Sequence, residues 1–416
     1  MRLSERLSIL HPSITLEIDA LGKKLKQEGK PVISFGAGEL DFSPPETVLT
    51  AAKVAIDDVV NSRYSPTAGL YELRAKIAER VNNTQQLNGT PAEVSAEQVI
   101  VTNGGKQAIF EILAAILNPD DEIILLGPSW LTYYAVAEYH GAKVINIPGT
   151  AQNSYKVTPE ELAKTISEKT RAVIINSPCN PTGAVYSIDE LRRIGEVLLN
   201  TDVWIIADEI YESLIYGEIA SEKNTAPHIL EALPELAEQT ILVNGVSKSY
   251  AMTGWRVGYL VAPFWVAVEI QKLQGHLTSN INNIAQKAAL AALETSSEYF
   301  DNARKTLQER RNLMVSLLGQ IRLAGDAEKG VSFNIPDGAF YILVNIENLL
   351  NVPLSGEKLV VKDAVSLAKL LLEKTLVAVV PMDSFKIANH IRFSYALSKE
   401  DITEGINRII KFIGEQ

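Results

Sequence analysis

Lys248 follows the apolar run 240–244 (TILVN), within Gly245-Val246-Ser247-Lys248-Ser249-Tyr250. A lysine just beyond a buried strand is poorly solvated, which lowers its pKa and frees its amine as a nucleophile. A lone strand-end lysine is ordinarily a surface residue. Here it stands between Ser/Gly turns, and Arg256 lies eight residues on, in Gly254-Trp255-Arg256-Val257-Gly258. The planar fork of an arginine suits a phosphate.

Other chemistry-bearing residues also stand at the ends of apolar runs. Asp208 follows 203–207 (VWIIA) and opens Asp208-Glu209-Ile210-Tyr211. A carboxylate there is costly to bury without a cation, and aspartate also caps helices well, so both roles can hold together. The run 171–176 leads to Ser177-Pro178-Cys179-Asn180-Pro181-Thr182-Gly183, a turn that projects Asn180 or simply joins a strand to a helix. Asn103-Gly104-Gly105-Lys106 closes the run 98–103. Backbone N–H groups at such a helix start suit a phosphate, although a plain capping turn fits equally well and the P-loop spacing is absent. Gly36-Ala37-Gly38-Glu39 misses the dinucleotide fingerprint. Arg392 lies inside an apolar strand, Asn389-His390-Ile391-Arg392-Phe393-Ser394. A buried arginine needs an anion, either a substrate carboxylate or a structural one such as Asp383.

These residues need a scaffold of alternating strands and helices. Seven runs predict strands: 98–103, 121–126, 142–147, 171–176, 203–207, 240–244 and 257–262. Several are almost wholly apolar, as in strands covered on both faces. Helical spacing occupies 105–117, and Ser187 with Glu190 predicts a capping box opening a helix over 187–200. The alternation predicts an α/β fold, a large domain with a mostly parallel sheet flanked by helices. Beyond residue 300 the pattern changes to a long helix (296–320), strands at 331–335, 339–346, 377–380 and 390–395, and helices near 363–374 and 399–413. With an N-terminal helix (14–28) and strand (32–35), this reads as a smaller α+β domain. The expected division is 45–300 for the large domain, with 1–44 and 301–416 forming the small one.

A chain of 416 residues exceeds what one core usually supports. Lys plus Arg number 39 and Asp plus Glu 50, a formal charge of −11 that disfavours nucleic acid and anionic membrane as partners. The single cysteine, Cys179, excludes an internal disulfide and fits a reducing, cytoplasmic setting. The five histidines show no metal-ligand spacing, so no metal is expected. No apolar leader or membrane-length run is present.

Taken together, Asn180-Pro-Thr-Gly, Asp208-Glu-Ile-Tyr211, Ser247-Lys248 with Gly-Trp-Arg256-Val-Gly, and Arg392 resemble the class I aminotransferases of PLP fold type I. The resemblance runs from His11-Pro-Ser-Ile-Thr through Arg392 and is closest to the bacterial-type aspartate aminotransferases, a subgroup that includes prephenate aminotransferases. It implies pyridoxal 5'-phosphate as cofactor, held by Lys248 as a Schiff base, with Lys248 also shuttling the Cα proton. Asp208 would pair with the pyridinium nitrogen, and Tyr211 and Asn180 would bond the phenolic oxygen. Trp130 would stack on the ring, and Gly104, Gly105 and Arg256 would hold the phosphate. Tyr64 would reach the phosphate of a neighbouring subunit, which implies a homodimer with shared sites. Arg392 and the backbone of Gly38 would grip the substrate α-carboxylate. Lys106, with Ser13 and Thr15, would take a distal carboxylate, because no arginine lies near 275–279 where animal-type relatives carry one. Lys106 at a helix start opposes the helix dipole, which leaves little structural reason for it. Gly245 departs from the serine that many relatives carry three residues before the lysine.

The expected reaction is transamination of L-aspartate with 2-oxoglutarate to oxaloacetate and L-glutamate. The alternatives are prephenate amination to arogenate, or another PLP chemistry of this fold such as a β-lyase. A regulator built on the same fold would need an N-terminal DNA-binding module, and a nicotinamide dehydrogenase would need the missing glycine fingerprint.

Overall fold

The computed structural model describes residues 3–10, 14–36, 38–222, 224–323, 326–354 and 359–414. The seven apolar runs pair into one sheet: β1 (Val99–Thr102), β2 (Glu122–Leu126), β3 (Lys143–Ile147), β4 (Thr170–Asn176), β5 (Trp204–Asp208), β6 (Thr240–Gly245) and β7 (Gly258–Val261). Their order across the sheet is β1-β7-β6-β5-β4-β2-β3, with β7 antiparallel to both neighbours and the remaining pairs parallel. Side chains alternate between two apolar layers, as a strand period of two requires. Val173, Ile175, Ile205 and Leu242 enter one core, while Ala172, Ile174, Ile206, Ile241 and Val243 enter the other. Coverage on both faces is the reason these strands read as unbroken apolar runs.

Register then sets the chemistry. Asn176 pairs with Asp208 and Asp208 with Val243, so the polar residues ending β4 and β5 lie side by side. Gly258 at the start of β7 pairs with both Thr102 and Gly245. Residues 103–106, 176–180, 208–211 and 245–248 therefore emerge along one edge, outside the carboxyl ends of the parallel strands.

A second sheet is built from β8 (Ser332–Phe333), β9 (Tyr341–Asn345), β10 (Val380–Pro381) and β11 (His390–Ser394), all antiparallel in the order β8-β9-β11-β10. The expected strand 377–380 divides: Val377–Ala378 pairs in parallel with Ile33–Ser34, while Val380–Pro381 joins β11. The N-terminal strand thus docks beside the C-terminal elements. Ile18, Val32, Ile33 and Phe35 share one core with Leu307, Met314, Ile342, Leu371 and Ile406, from helices Ser297–Leu318, Ala364–Thr375 and Lys399–Gly414 and strand β9. The capping box forms as expected, with Glu190 N–H donating to Ser187 Oγ (3.2 Å) and Ser187 N–H to Glu190 Oε2 (2.8 Å).

A carboxylate breaks the apolar pattern of one helix's buried face. Glu111, in helix Gly105–Ile116, is fully buried; Gln107 donates to one carboxylate oxygen (2.8 Å) and the other has no partner. Burial pushes this carboxyl up to about 7, against which Gln107 works only partly. An acid raised in this way favours folding in its protonated form. Its contribution is intact below the unfolded value of ~4.3 and is lost as the pH rises through about 7. Glu111→Gln is accordingly expected to stabilise the protein at pH 8 by up to about 3 kcal/mol and to change little at pH 5. Denaturant melts at both pH values measure this; an equal change at both would show that the carboxyl is not titrating there.

Candidate active site

Lys248 leaves the end of β6 and turns inward, its Nζ donating to the Gly38 carbonyl (2.5 Å) and lying 6.0 Å from the Tyr211 ring centroid. Burial, then Arg392, lowers its pKa to about 8. The poor solvation expected of a strand-end lysine is present, and a second cation supports it.

Asp208 is 4% exposed. No helix begins there, so the helix-capping alternative does not hold: Oδ1 accepts from the Ile210 N–H (3.2 Å) in a local turn, and the next helix starts at Gly217. Oδ2 accepts from Tyr133 Oη (2.5 Å). Burial lifts Asp208 to about 6 although Tyr133 works the other way, so its ionised form lacks a cation. Tyr133 was not singled out from the sequence. It lies three residues after Trp130 in the helix Leu131–Tyr139 and meets it edge-on at 5.5 Å, a same-face spacing that could have revealed it.

Arg392 is buried on β11. It donates to Asn180 Oδ1 (2.9 Å) and the Gly36 carbonyl (3.3 Å), lies 4.3 Å over the Tyr341 ring, and leaves Nε without a partner. Among the described residues no carboxylate lies within ion-pair distance; Asp383 does not pair with it, and Asp383 Oδ2 is itself unpartnered. Tyr341, also absent from the sequence-based set, is diagonal to Arg392 across the β9–β11 ladder and its Oη is 3.1 Å from Tyr211 Oη. That placement depends on strand register and carries no sequence signal.

Gly104 precedes the helix Gly105–Ile116 with φ +78°, and a Cβ there would stand 2.6 Å from Arg256 Nη2. A Cβ on Gly258 would meet Gly104 C and Gly105 N at 2.5 Å. Gly245 faces Gly258, and a Cβ on it would lie 2.8 Å from that Cα. The departure at Gly245 therefore accompanies a close backbone approach, which a serine would have to push apart. Arg256 takes a left-handed conformation and donates to the carbonyls of Thr253 (2.8 Å) and Asn103 (3.3 Å), holding its guanidinium beside the helix start. Lys106 Nζ lies 5.3 Å from the Trp130 ring and makes no ion pair among the described residues. Desolvation of its amine, then Arg256, lowers its pKa. Trp130 also borders an apolar wall of Leu343, Val380, Met382 and Phe385, against which Arg392 packs. Tyr64 is 91% exposed. Ser13 lies outside the described residues, as does the side chain of Thr15 in helix Ile14–Gln27.

The family described as aminotransferase class I and II matches residues 30–409. The chain belongs to that family. This aminotransferase is 41% identical to the aspartate aminotransferase of Streptomyces avermitilis, over all of its own length and 97% of that protein. It is 37% identical to the aspartate/prephenate aminotransferase of Cereibacter sphaeroides, covering 99% and 98%. The crystal structure of the Rhizobium meliloti aspartate aminotransferase superposes with a TM-score of 0.91, at 33% identity over 99% of both chains. The aminotransferase is a PLP-dependent enzyme, which removes a nicotinamide dehydrogenase from consideration.

The residues present fit that cofactor. A buried carboxylate raised by desolvation matches a ring N–H⁺. A glycine-lined helix start beside Arg256 matches a phosphate, and a lysine of lowered pKa matches covalent attachment. Among the described residues no helix is long and apolar enough to cross a membrane.

Proposed function

We propose that the enzyme transfers the amino group of L-aspartate to 2-oxoglutarate, giving oxaloacetate and L-glutamate. The observation that carries this reading is a pair of cations beside one apolar wall: Arg392, buried with no carboxylate partner among the described residues, and Lys106, joined to it through Trp130 and Phe385. Two cations suit a substrate with two carboxylates. The solved Thermus thermophilus aspartate aminotransferase, 34% identical with a TM-score of 0.87 over 99% of this chain and all of that one, was obtained with maleate, itself a dicarboxylate.

In this proposal Arg392 binds the α-carboxylate bidentately and the Gly38 N–H adds a bond to it. Lys106 takes the distal carboxylate, with Ser13 and Thr15 contributing hydroxyls. Asp208 holds the cofactor ring nitrogen in its protonated form, and Tyr133 orients Asp208. Tyr211 and Asn180 act on the phenolic side, where Asn180 also orients Arg392. Gly104, Gly105 and Arg256 hold the phosphate, and Trp130 covers the ring face. PLP, when bound, supplies an electron sink for the electrons released at the substrate Cα. Lys248 Nζ, partly neutral near pH 8, takes the Cα proton and holds it for return.

We also propose a homodimer in which Tyr64 of one copy serves the phosphate site of the other. Exposed Val54, Ile56, Val59, Val60, Tyr64 and Tyr71, clustered over 54–71, support that surface. The division into domains 45–300 and 1–44 with 301–416 is supported by the core shared between Phe35 and the C-terminal helices. The single buried thiol, Cys179, supports a cytoplasmic setting.

A second reading, amination of prephenate, is favoured by the apolar wall at Leu343, Val380, Met382 and Phe385, which suits a bulkier ring. Lys106→Ala is expected to lower kcat/KM for aspartate about 100-fold and for apolar amino acids less than about tenfold. Assays coupled to oxaloacetate formation, alongside prephenate amination, measure this. An equal loss for both substrate types would remove Lys106 from distal recognition.

A further inference from the structure

Adjoining Asp208 is a second group of charged side chains, drawn from three separate stretches of chain. Glu209 and Glu212 come from the turn after β5, His228 from the start of a short helix, and Arg80 and Gln85 from the end of helix Tyr71–Thr84. His228 is 1% exposed, and Glu209 and Glu212 are buried. Arg80 grips Glu212 Oε1 through Nε (3.1 Å) and Nη2 (2.6 Å) and reaches Ser213 Oγ (3.3 Å). Gln85 donates to Glu209 Oε2 (3.0 Å). The His228 ring stands between the carboxylates, with Nδ1 3.0 Å from Glu209 and Nε2 3.8 Å from Glu212. Tyr250 and Tyr259 border the group as neutral phenols, their pKa values raised by burial.

Charge balance decides the state of the imidazole. Two carboxylates and one guanidinium sum to −1, and an uncompensated buried charge is expensive. An imidazolium makes the group neutral. Burial alone pulls His228 down, and Glu209 and Glu212 reverse this to give a net rise. Glu209, Glu212 and His228 could also be read as three ligands of a metal ion. Arg80 already occupies Glu212 as its cation, which disfavours that reading.

We propose that His228 is a positioning residue of the transamination site: as a buried imidazolium it cancels Glu209, and so protects the ionised form of Asp208 that grips the cofactor ring nitrogen. The inference rests on the proposed role of Asp208. Glu209 follows Asp208 directly in the chain and already acts to raise it, behind burial. With the imidazolium gone, Glu209 would favour protonated Asp208, and the hold on the cofactor would fail at a higher pH.

The test is cofactor affinity as a function of pH, by equilibrium dialysis of PLP against the apoprotein. In His228→Gln the acid-side loss of affinity is expected to move up by about one pH unit, so that affinity near pH 6.5 falls about threefold while that near pH 8.5 is kept. The double variant His228→Gln/Glu209→Gln restores neutrality and should restore the wild-type profile. An unshifted profile in the single variant, or no recovery in the double, overturns the proposal. So does a stoichiometric divalent metal in the wild-type protein that the single variant lacks. Should the variants fail to fold, ¹⁵N-histidine spectra of the wild-type holoenzyme decide the matter. One of the five histidines must remain doubly protonated at pH 8, and the absence of any imidazolium there overturns the inference. Asp208→Asn separates the two levels: full affinity in that variant refutes the role of Asp208, whereas weakened affinity with an unaffected His228→Gln refutes only the role of His228.

Discussion

Replacing Lys248 by alanine is expected to lower transamination by at least ~10⁴-fold and to abolish the near-visible absorbance of cofactor attached to the chain. The expectation follows from the number of separate features that converge on one amine. The strand-end position, the loss of water, and Arg392 together lower its pKa to about 8. Asp208, Arg256 and the Gly104–Gly105 helix start surround it with groups fitted to the two ends of the cofactor. The affinity for PLP should fall far less than the rate, because those other contacts remain. The pH dependence has a definite sign: the neutral amine is the nucleophile, so capture of PLP by the wild-type apoprotein should accelerate as the pH rises through about 8 and then level off. Stopped-flow absorbance measures this directly. Wild-type turnover in purified Lys248→Ala would remove the residue from the mechanism.

The second large effect is expected at Arg392. Lysine there keeps the charge but loses the fork, and kcat/KM for aspartate should fall on the order of 100-fold to 1,000-fold. The arginine is held on three sides, by Asn180, the Gly36 carbonyl and the Tyr341 face, so its orientation is set before substrate arrives. Stability supplies the contrast. A guanidinium in a structural ion pair would lose stability on replacement by leucine, because its partner would be left unpaired. Arg392 makes no ion pair among the described residues, so Arg392→Leu should melt no lower than wild type in the absence of substrate while losing its activity. Calorimetry and steady-state kinetics on the same preparation test this. A marked fall in melting temperature would identify a structural role instead.

Much of this site was legible in the sequence because parallel strands cannot hide their ends. A strand covered on both faces is an unbroken apolar run, so its first polar residues mark the edge where ligands bind. Asp208, Lys248, Asn180 and Gly104 were found in that way. Tyr133 carried a usable signal in its helical spacing from Trp130. Tyr341 did not, because a tyrosine within an apolar strand has the appearance of core until register places it under Arg392. The helix-capping alternative for Asp208 failed because whether a helix follows a strand end depends on tertiary packing that local preference cannot report.

His228 shows the limit most clearly. Sequence spacing gave it no partner, yet folding brings it within 3.0 Å of Glu209 and 3.8 Å of Glu212. The sequence alone determined which residues stand at strand ends, and with that the lysine, the carboxylate and the arginines around which an aminotransferase is built. Only the tertiary structure decided which charges are buried together, that Arg392 faces no structural carboxylate among the described residues, and that Gly245 lies against the backbone of Gly258. The physical reason is range. Hydrophobic periodicity is written along the chain, whereas desolvation and side-chain pairing depend on neighbours as distant in sequence as Asn180 and Arg392, and are fixed only when the sheet, its register and the covering helices close around them.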